Sequence, residues 1–245
     1  MMWKVVIGVI FCFSTVCGLH LPKYIKPCRL DSPNFSECAI QHGNDAIANL
    51  VKGEKVYGIP SFTPFKVTFV SIDSNGLKMN MSNGVFTGIE NLKLNKYSFN
   101  KKNKKIYTTL TGPLITFEFD LSTGGKFANL PIEGNGHGWA KIYNGNFSHN
   151  YEYSVVEKNG KHYLQLGKDE VMIEPGHMEC DIQGLFNGNK QLGDSLNSVL
   201  NENWREILQQ FGPVISEIYG SIAKEVLRKL YDRIPIEEIY PGMEV

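Results

Sequence analysis

The chain has 245 residues, 42% hydrophobic and 20% charged, with 25 basic against 25 acidic side chains. That balance belongs to a folded chain with a core and argues against disorder. A net charge of zero offers phosphates no field, and the densest basic run, Lys101, Lys102, Lys104 and Lys105, reads as one solvated hairpin tip, so nucleic acid is not an expected partner.

At the N-terminus Lys4 precedes an apolar run from Val5 to Val16, too short for a bilayer but long enough for a leader core, and Val16-Cys17-Gly18 offers small residues for cleavage. Residues 1–18 are expected to be a signal peptide and residues 19–245 a single secreted domain without an internal linker. No later run of about 18 apolar residues follows, so no membrane insertion is expected. Of five cysteines, Cys12 and Cys17 fall in the leader. Cys28 and Cys38 are close enough to be bridged in an oxidising compartment, closing a loop worth about 2–3 kcal/mol. Cys180 is left as a buried free thiol. The sequons at Asn34, Asn80 and Asn146 are the expected glycosylation sites on the same route.

Asp31-Ser32-Pro33 reads as a helix start with Ser32 as cap, and Ala39, Ile40, Gly43, Ala46, Ile47, Leu50 and Val51 recur at helical spacing until Gly53. From about residue 55 to 178 the period becomes 2. Ile115, Phe117, Phe119 and Leu121 alternate with polar residues, and Phe147, His149, Tyr151, Tyr153 and Val155 share one parity. About eight strands are expected there, with Gly134-Asn135-Gly136-His137-Gly138 as a bulge or tight bend rather than a phosphate cradle. Helical spacing returns from Leu196 to Val226, and the phase of Phe211, Val214 and Ile215 predicts one helix from Ser195 to Leu230, kinked at Pro213. Its apolar stripe needs a large partner, and the aromatic face of a strongly curved sheet is the one available.

Templates for enzymatic chemistry are missing: no Gly-x-Ser-x-Gly, His-Glu-x-x-His, Cys-x-x-Cys or phosphate-loop pattern occurs, and no histidine pair has metal-ligand spacing. Neither an enzyme, a metal site nor a cofactor is expected. What the chain does hold is aromatic and flexible apolar side chains on sheet and helix positions, which can line a cavity for a hydrophobic ligand. The expected lining is Phe69, Met79, Met81, Phe86, Phe117, Phe119, Trp139, Phe147, Tyr151, Tyr153, Trp204, Leu208, Phe211, Ile215 and Tyr219. Tyr57, Tyr151, Tyr153, Trp204 and Tyr219 are candidates to orient a polar ligand end.

Across the mature chain the sequence resembles the insect juvenile hormone binding protein and takeout family, within the tubular lipid-binding folds. The resemblance rests on Pro27-Cys28 with Cys38, Gly58-Ile59-Pro60, Gly84-Val85 with Gly88-Ile89, Leu130-Pro131-Ile132-x-Gly134-x-Gly136, Leu185-Phe186-Asn187-Gly188, Leu200-Asn201-x-Asn203-Trp204, and Ile234-Pro235 with Tyr240-Pro241. It implies an α+β fold, a long kinked C-terminal helix wrapped by a strongly curved antiparallel sheet around a tunnel. It also implies a disulfide at Cys28 and Cys38, and an extracellular carrier in haemolymph or a similar fluid, in a family with circadian and feeding-related members. Cys180 has no mate for the second disulfide of moth-type hormone carriers, so the pattern looks more like the takeout branch; Thr63 departs from the family pattern, where an Asp usually precedes the proline.

The expected function is therefore a secreted, monomeric carrier of a small hydrophobic ligand: a juvenile hormone-like terpenoid, a fatty acid or another long apolar lipid. The competing reading is an extracellular signalling protein whose surface meets a cell-surface receptor, with lipid only structural. A secreted hydrolase is the third.

Overall fold

The computed structural model describes residues 19–74, 76–127 and 130–244. The expected leader over residues 1–18 lies outside them. Helix α1 spans Phe35–Leu50. It starts two residues later than Ser32 implies: Asn34 is the cap, without a side-chain cap bond, while the Ser32 carbonyl accepts from the Phe35 amide at 3.1 Å. After the helix, Gly53 takes a φ of +89°, which reverses the chain at little steric cost. Cys28 and Cys38 form a disulfide that ties the incoming segment to the first turn of α1.

Among the described residues seven strands follow, β1 (Phe65–Ser74), β2 (Leu77–Thr87), β3 (Lys93–Asn100), β4 (Lys105–Phe127), β5 (Leu130–Lys158), β6 (Lys161–Glu174) and β7 (His177–Gln183). All pair antiparallel in one sheet. The β4–β5 ribbon is the spine. β4 takes β3 along its first part and β2 along its second, while β5 takes β7 and then β6. At about 3.3 Å per residue a straight 29-residue β5 would run about 95 Å, so the ribbon has to curl to stay with the rest of the chain.

The curling changes which side chains face inward. In β4, Thr108 and Leu110 share the inner face with Ile115 and Phe117, so the parity flips across Gly112-Pro113. In β5, Ala140 and Ile142 share it with Phe147, His149 and Tyr151, so the parity flips at Asn144-Gly145, where Asn144 has φ +48°. Gly112 and Gly145 are register partners, so both strands turn at the same place. The glycine run near residue 134 lies inside β5 in unbroken register with β4, and its missing side chains let β7 come close: a Cβ on Gly136 would stand 2.2 Å from the Gln183 carbonyl oxygen.

The C-terminal helix is divided into α2 (Lys190–Glu202) and α3 (Trp204–Tyr231), followed by the short α4 (Ile236–Ile239). The break falls at Asn203, not Pro213. Asn203 leaves the helical region (φ −109°, ψ 31°) and its side-chain amide donates to the Val199 carbonyl at 2.7 Å, a local bond that competes with helix continuation. Pro213 is accommodated within α3.

Helices close the open strand edges through asparagines. Asn201 accepts from the Cys180 amide at 2.7 Å and donates to the Cys180 carbonyl at 2.8 Å. One turn earlier Asn197 does the same to Ile182, at 3.0 and 3.1 Å. On β3 the pair is Asn44 with Leu94, at 2.8 and 3.0 Å. The i, i+4 step of a helix nearly matches the i, i+2 step of a strand, so two amides stand in for a missing neighbour strand.

Candidate functional site

Side chains do not fill the space between α3 and the inner face of the sheet. A cavity of about 550 Å³ runs along α3 from Ile215 to Tyr231, a length of about 24 Å at 1.5 Å per residue. α1 covers one flank with Ala39, Gly43, Ala46, Ile47 and Leu50; the sheet supplies Phe65, Val67, Val70, Ile72, Met81 and Phe86 from β1 and β2, and further residues from β4 and β5. The wall is almost wholly apolar. Small residues on α1 leave the space open: a Cβ on Gly43 would meet Leu94 at 2.6 Å, which shows how closely α1 approaches β3.

Polar groups on this wall are few, and most are paired. At one end the Tyr240 hydroxyl lies 2.5 Å from that of Tyr97 and 2.7 Å from that of Tyr231, and burial pushes Tyr97, Tyr151 and Tyr240 well above the usual tyrosine range. Midway, His149 is 3% exposed, and its Nε2 stands 3.0 Å from Asp169 Oδ2. Lys224 Nζ, on α3, is 2.6 Å from the other Asp169 oxygen. Burial pushes the His149 imidazole below its ordinary value, against the opposing pull of Asp169. Burial would raise Asp169, but hydrogen bonds from Lys224 and His149 outweigh it and hold the carboxyl below the usual range.

Seven residues expected in the lining do bound the cavity: Met81, Phe86, Phe117, Phe147, Tyr151, Ile215 and Tyr219. Eight stand away from it. Phe69 is 60% exposed, because the parity of β1 flips between Val67 and Val70, opposite the irregularity around Asn83 in β2. Trp139 is turned outward by the flip in β5, and Lys141 Nζ lies 4.1 Å from its ring centroid. Met79, Phe119 and Phe211 pack with Leu121, Ile132 and Leu196 into a solid plug beyond the far end. Tyr153 packs with Ile106 and Leu164 behind the tyrosine cluster. Trp204 meets His177 edge-on and carries Arg205 over its ring at the start of α3, and the half-buried Leu208 is off the cavity as well. Tyr57, a candidate polar group, instead donates to the His20 carbonyl outside the cavity.

The residue pattern alone assigns α1 no part in the lining, although its apolar stripe is visible there. His149 does carry a signal, a polar ring on an otherwise apolar parity. Asn34 and Asn146 are exposed and Asn80 is half-buried, its side-chain oxygen accepting from Ser71 at 2.8 Å. Cys180 is a free, half-buried thiol that burial pushes up to about 11, so it stays protonated at neutral pH. His42 stands 3.3 and 3.5 Å from the sulfurs of Cys28 and Cys38, but a disulfide has no thiolate to offer a metal. Among the described residues no helix is long and apolar enough to cross a membrane.

A long helix held in a curled antiparallel sheet around an elongated apolar cavity defines a protein built to enclose something hydrophobic. The family model described as haemolymph juvenile hormone binding protein (JHBP) matches residues 7–241, and the chain belongs to that family. The chain is 24% identical over 236 residues to the circadian clock-controlled protein daywake of Drosophila melanogaster, spanning 89% of this chain and 88% of that protein. It is 23% identical over 233 residues to daywake of Drosophila yakuba, with the same coverage of each. The crystal structure of Epiphyas postvittana Takeout 1 superposes with a TM-score of 0.81 at 22% identity, covering 89% of this chain and all of that one, and shares the fold. The family is one of binding proteins rather than of enzymes.

Proposed function

We propose that residues 19–245 form a secreted, non-enzymatic carrier that takes one long apolar molecule from water into the cavity along α3, residues 1–18 serving as the leader. The observation that carries this reading is the cavity itself: about 550 Å³, within the range that holds small-molecule ligands, with an almost wholly apolar wall. Such a space gains little from water, which needs several polar partners, and gains about 25 cal/mol for each Å² of ligand surface it buries. Met81, Phe86, Phe117, Phe147, Tyr151, Ile215 and Tyr219 are the expected ligand contacts.

The family description names juvenile hormone, and a terpenoid of that kind, a fatty acid or another long-chain lipid suits the shape. Glycans at Asn34 and Asn146 would point into water, and the carrier acts as a monomer, with a cell-surface receptor as a further partner. The test is displacement of the bound fluorescent probe N-phenyl-1-naphthylamine from the purified secreted protein by a sesquiterpenoid and by a long-chain fatty acid. Saturable probe binding with displacement by at least one is the expected result. No displaceable binding of any of them overturns the proposal.

A further inference from the structure

His149 lies on β5 between Phe147 and Tyr151, all three on the cavity wall. Its two ring nitrogens have different surroundings. Nε2 faces Asp169, whose carboxylate also takes Lys224 and is ionised at neutral pH, so that oxygen can only accept and Nε2 must carry the proton. The buried ring is neutral, which leaves Nδ1 unprotonated. No group among the described residues bonds Nδ1. Yet none of their fully buried side-chain N or O atoms lacks a partner, so Nδ1 opens onto free space, and the space beside this ring is the cavity.

The remaining groups around the ring are accounted for. Tyr151 and Tyr219 meet it edge-on at 5.3 and 6.2 Å between centroids, and Thr108 Oγ1 donates to the His149 backbone oxygen, not to the ring. Gly220 lets α3 come close enough for Lys224 to reach Asp169: a Cβ there would lie 2.9 Å from Val171 and 3.2 Å from Asp169. The ring is thus oriented from behind by a charged pair and presents an acceptor-only atom to an apolar hollow.

We propose that His149 is the head-group anchor of this cavity, its Nδ1 accepting a hydrogen bond from the hydroxyl end of a long-chain alcohol, straight or terpenoid, whose tail lies along α3. The inference rests on the carrier reading and names the ligand class within it. An ether or ester has no proton to give. A carboxylate beside the ring would bring an unpaired charge, because Lys224, the cation on its partner Asp169, is already held there. The Tyr219 hydroxyl can donate or accept and favours neither head group. Asp169 acts through His149 as a positioning residue.

The experiment measures displacement of N-phenyl-1-naphthylamine from the full-length secreted protein at pH 7.5 by hexadecanol and by its methyl ether. A buried hydrogen bond predicts that the alcohol binds about tenfold more tightly. His149→Phe should bring the ratio to about one with the ether affinity retained. Asp169→Asn, whose amide can donate to Nε2 as well as accept, should lower the ratio by releasing the tautomer. Equal affinities in the unaltered protein, or a tenfold ratio surviving in either variant, overturn the anchor while leaving the carrier reading intact. Absence of binding by the probe and both lipids overturns the carrier reading and the anchor together. Should His149→Phe not fold, the ¹⁵N shift of His149 in the unaltered protein decides: an unprotonated, pyridine-type Nδ1 is expected, and a protonated one contradicts the proposal.

Discussion

Gly220 of α3 and Asp169 of β6 approach so closely that a methyl group on the glycine would lie 3.2 Å from the carboxylate. This pair sets the spacing between helix and sheet beside His149. At an unhindered helical site, Gly to Ala stabilises by up to about 1 kcal/mol; overpacking costs about 1–3 kcal/mol. A Cβ on Gly193 in α2 would meet nothing within 4 Å, whereas at Gly220 the stiff Val171 side chain stands 2.9 Å away. Urea denaturation should show Gly193→Ala more stable than the parent by up to about 1 kcal/mol and Gly220→Ala less stable by about 1 kcal/mol. Equal gains from both would contradict the close approach.

The asparagine bridges make a second prediction. Asn201→Ala leaves the Cys180 amide and carbonyl half-buried without partners, at a cost of about 1–3 kcal/mol, and Asn197→Ala does the same at Ile182. Hydrogen exchange should accelerate at the Cys180 amide in the first variant and at the Ile182 amide in the second. Unchanged exchange at both would mean that α2 does not guard this edge.

Burial of His149 makes stability depend on pH in a defined direction. Unfolded, the ring titrates near its ordinary 6.5; folded, it titrates lower. Between those values the unfolded chain binds more protons, so stability falls as pH drops below about 6.5 and levels off once the folded ring is also protonated. Asp169, held low in the fold, contributes stability that is present above its ordinary 3.8 and is lost as pH falls through its folded value. Urea midpoints at pH 7.5 and 5.5 should therefore differ more for the parent than for His149→Phe. An equal drop in both would assign the acid sensitivity elsewhere.

Much of this architecture can be read from residue patterns, and where reading fails the cause is strand geometry. Period and parity identify α1, the sheet and the C-terminal helices, because each buries one face and the spacing of apolar residues records which. Parity predicts the inward face only while a strand stays regular. Phe69 and Trp139 match the apolar phase of their neighbours, but a change of phase lies between them and the cavity, at Thr68-Phe69 and at Asn144-Gly145. Phe119 and Phe211 face inward as expected and still miss the cavity, since nothing local says where packing becomes complete. The helix break illustrates the same limit. Pro213 carries the stronger breaking signal, yet Asn203 ends α2 through a side-chain bond to Val199 that composition does not reveal.

Chain length supplies a further test of the cavity as the source of affinity. Each methylene buried contributes roughly 0.8 kcal/mol, so two should tighten binding about tenfold until the hollow is full. A series of primary alcohols from ten to eighteen carbons, measured by probe displacement, should climb at about this rate and then level. A flat series would show that the tail remains in water.

The central claim, that the hollow along α3 is where the ligand resides, is tested most directly by plugging it. Ala223 faces the cavity from α3, and Ala223→Phe places a ring inside it without touching His149, Asp169 or Lys224 by substitution. Titration of the folded variant with N-phenyl-1-naphthylamine, beside the parent, should show saturable binding by the parent and binding at least tenfold weaker by the variant. Equal binding by the two proteins would contradict the account.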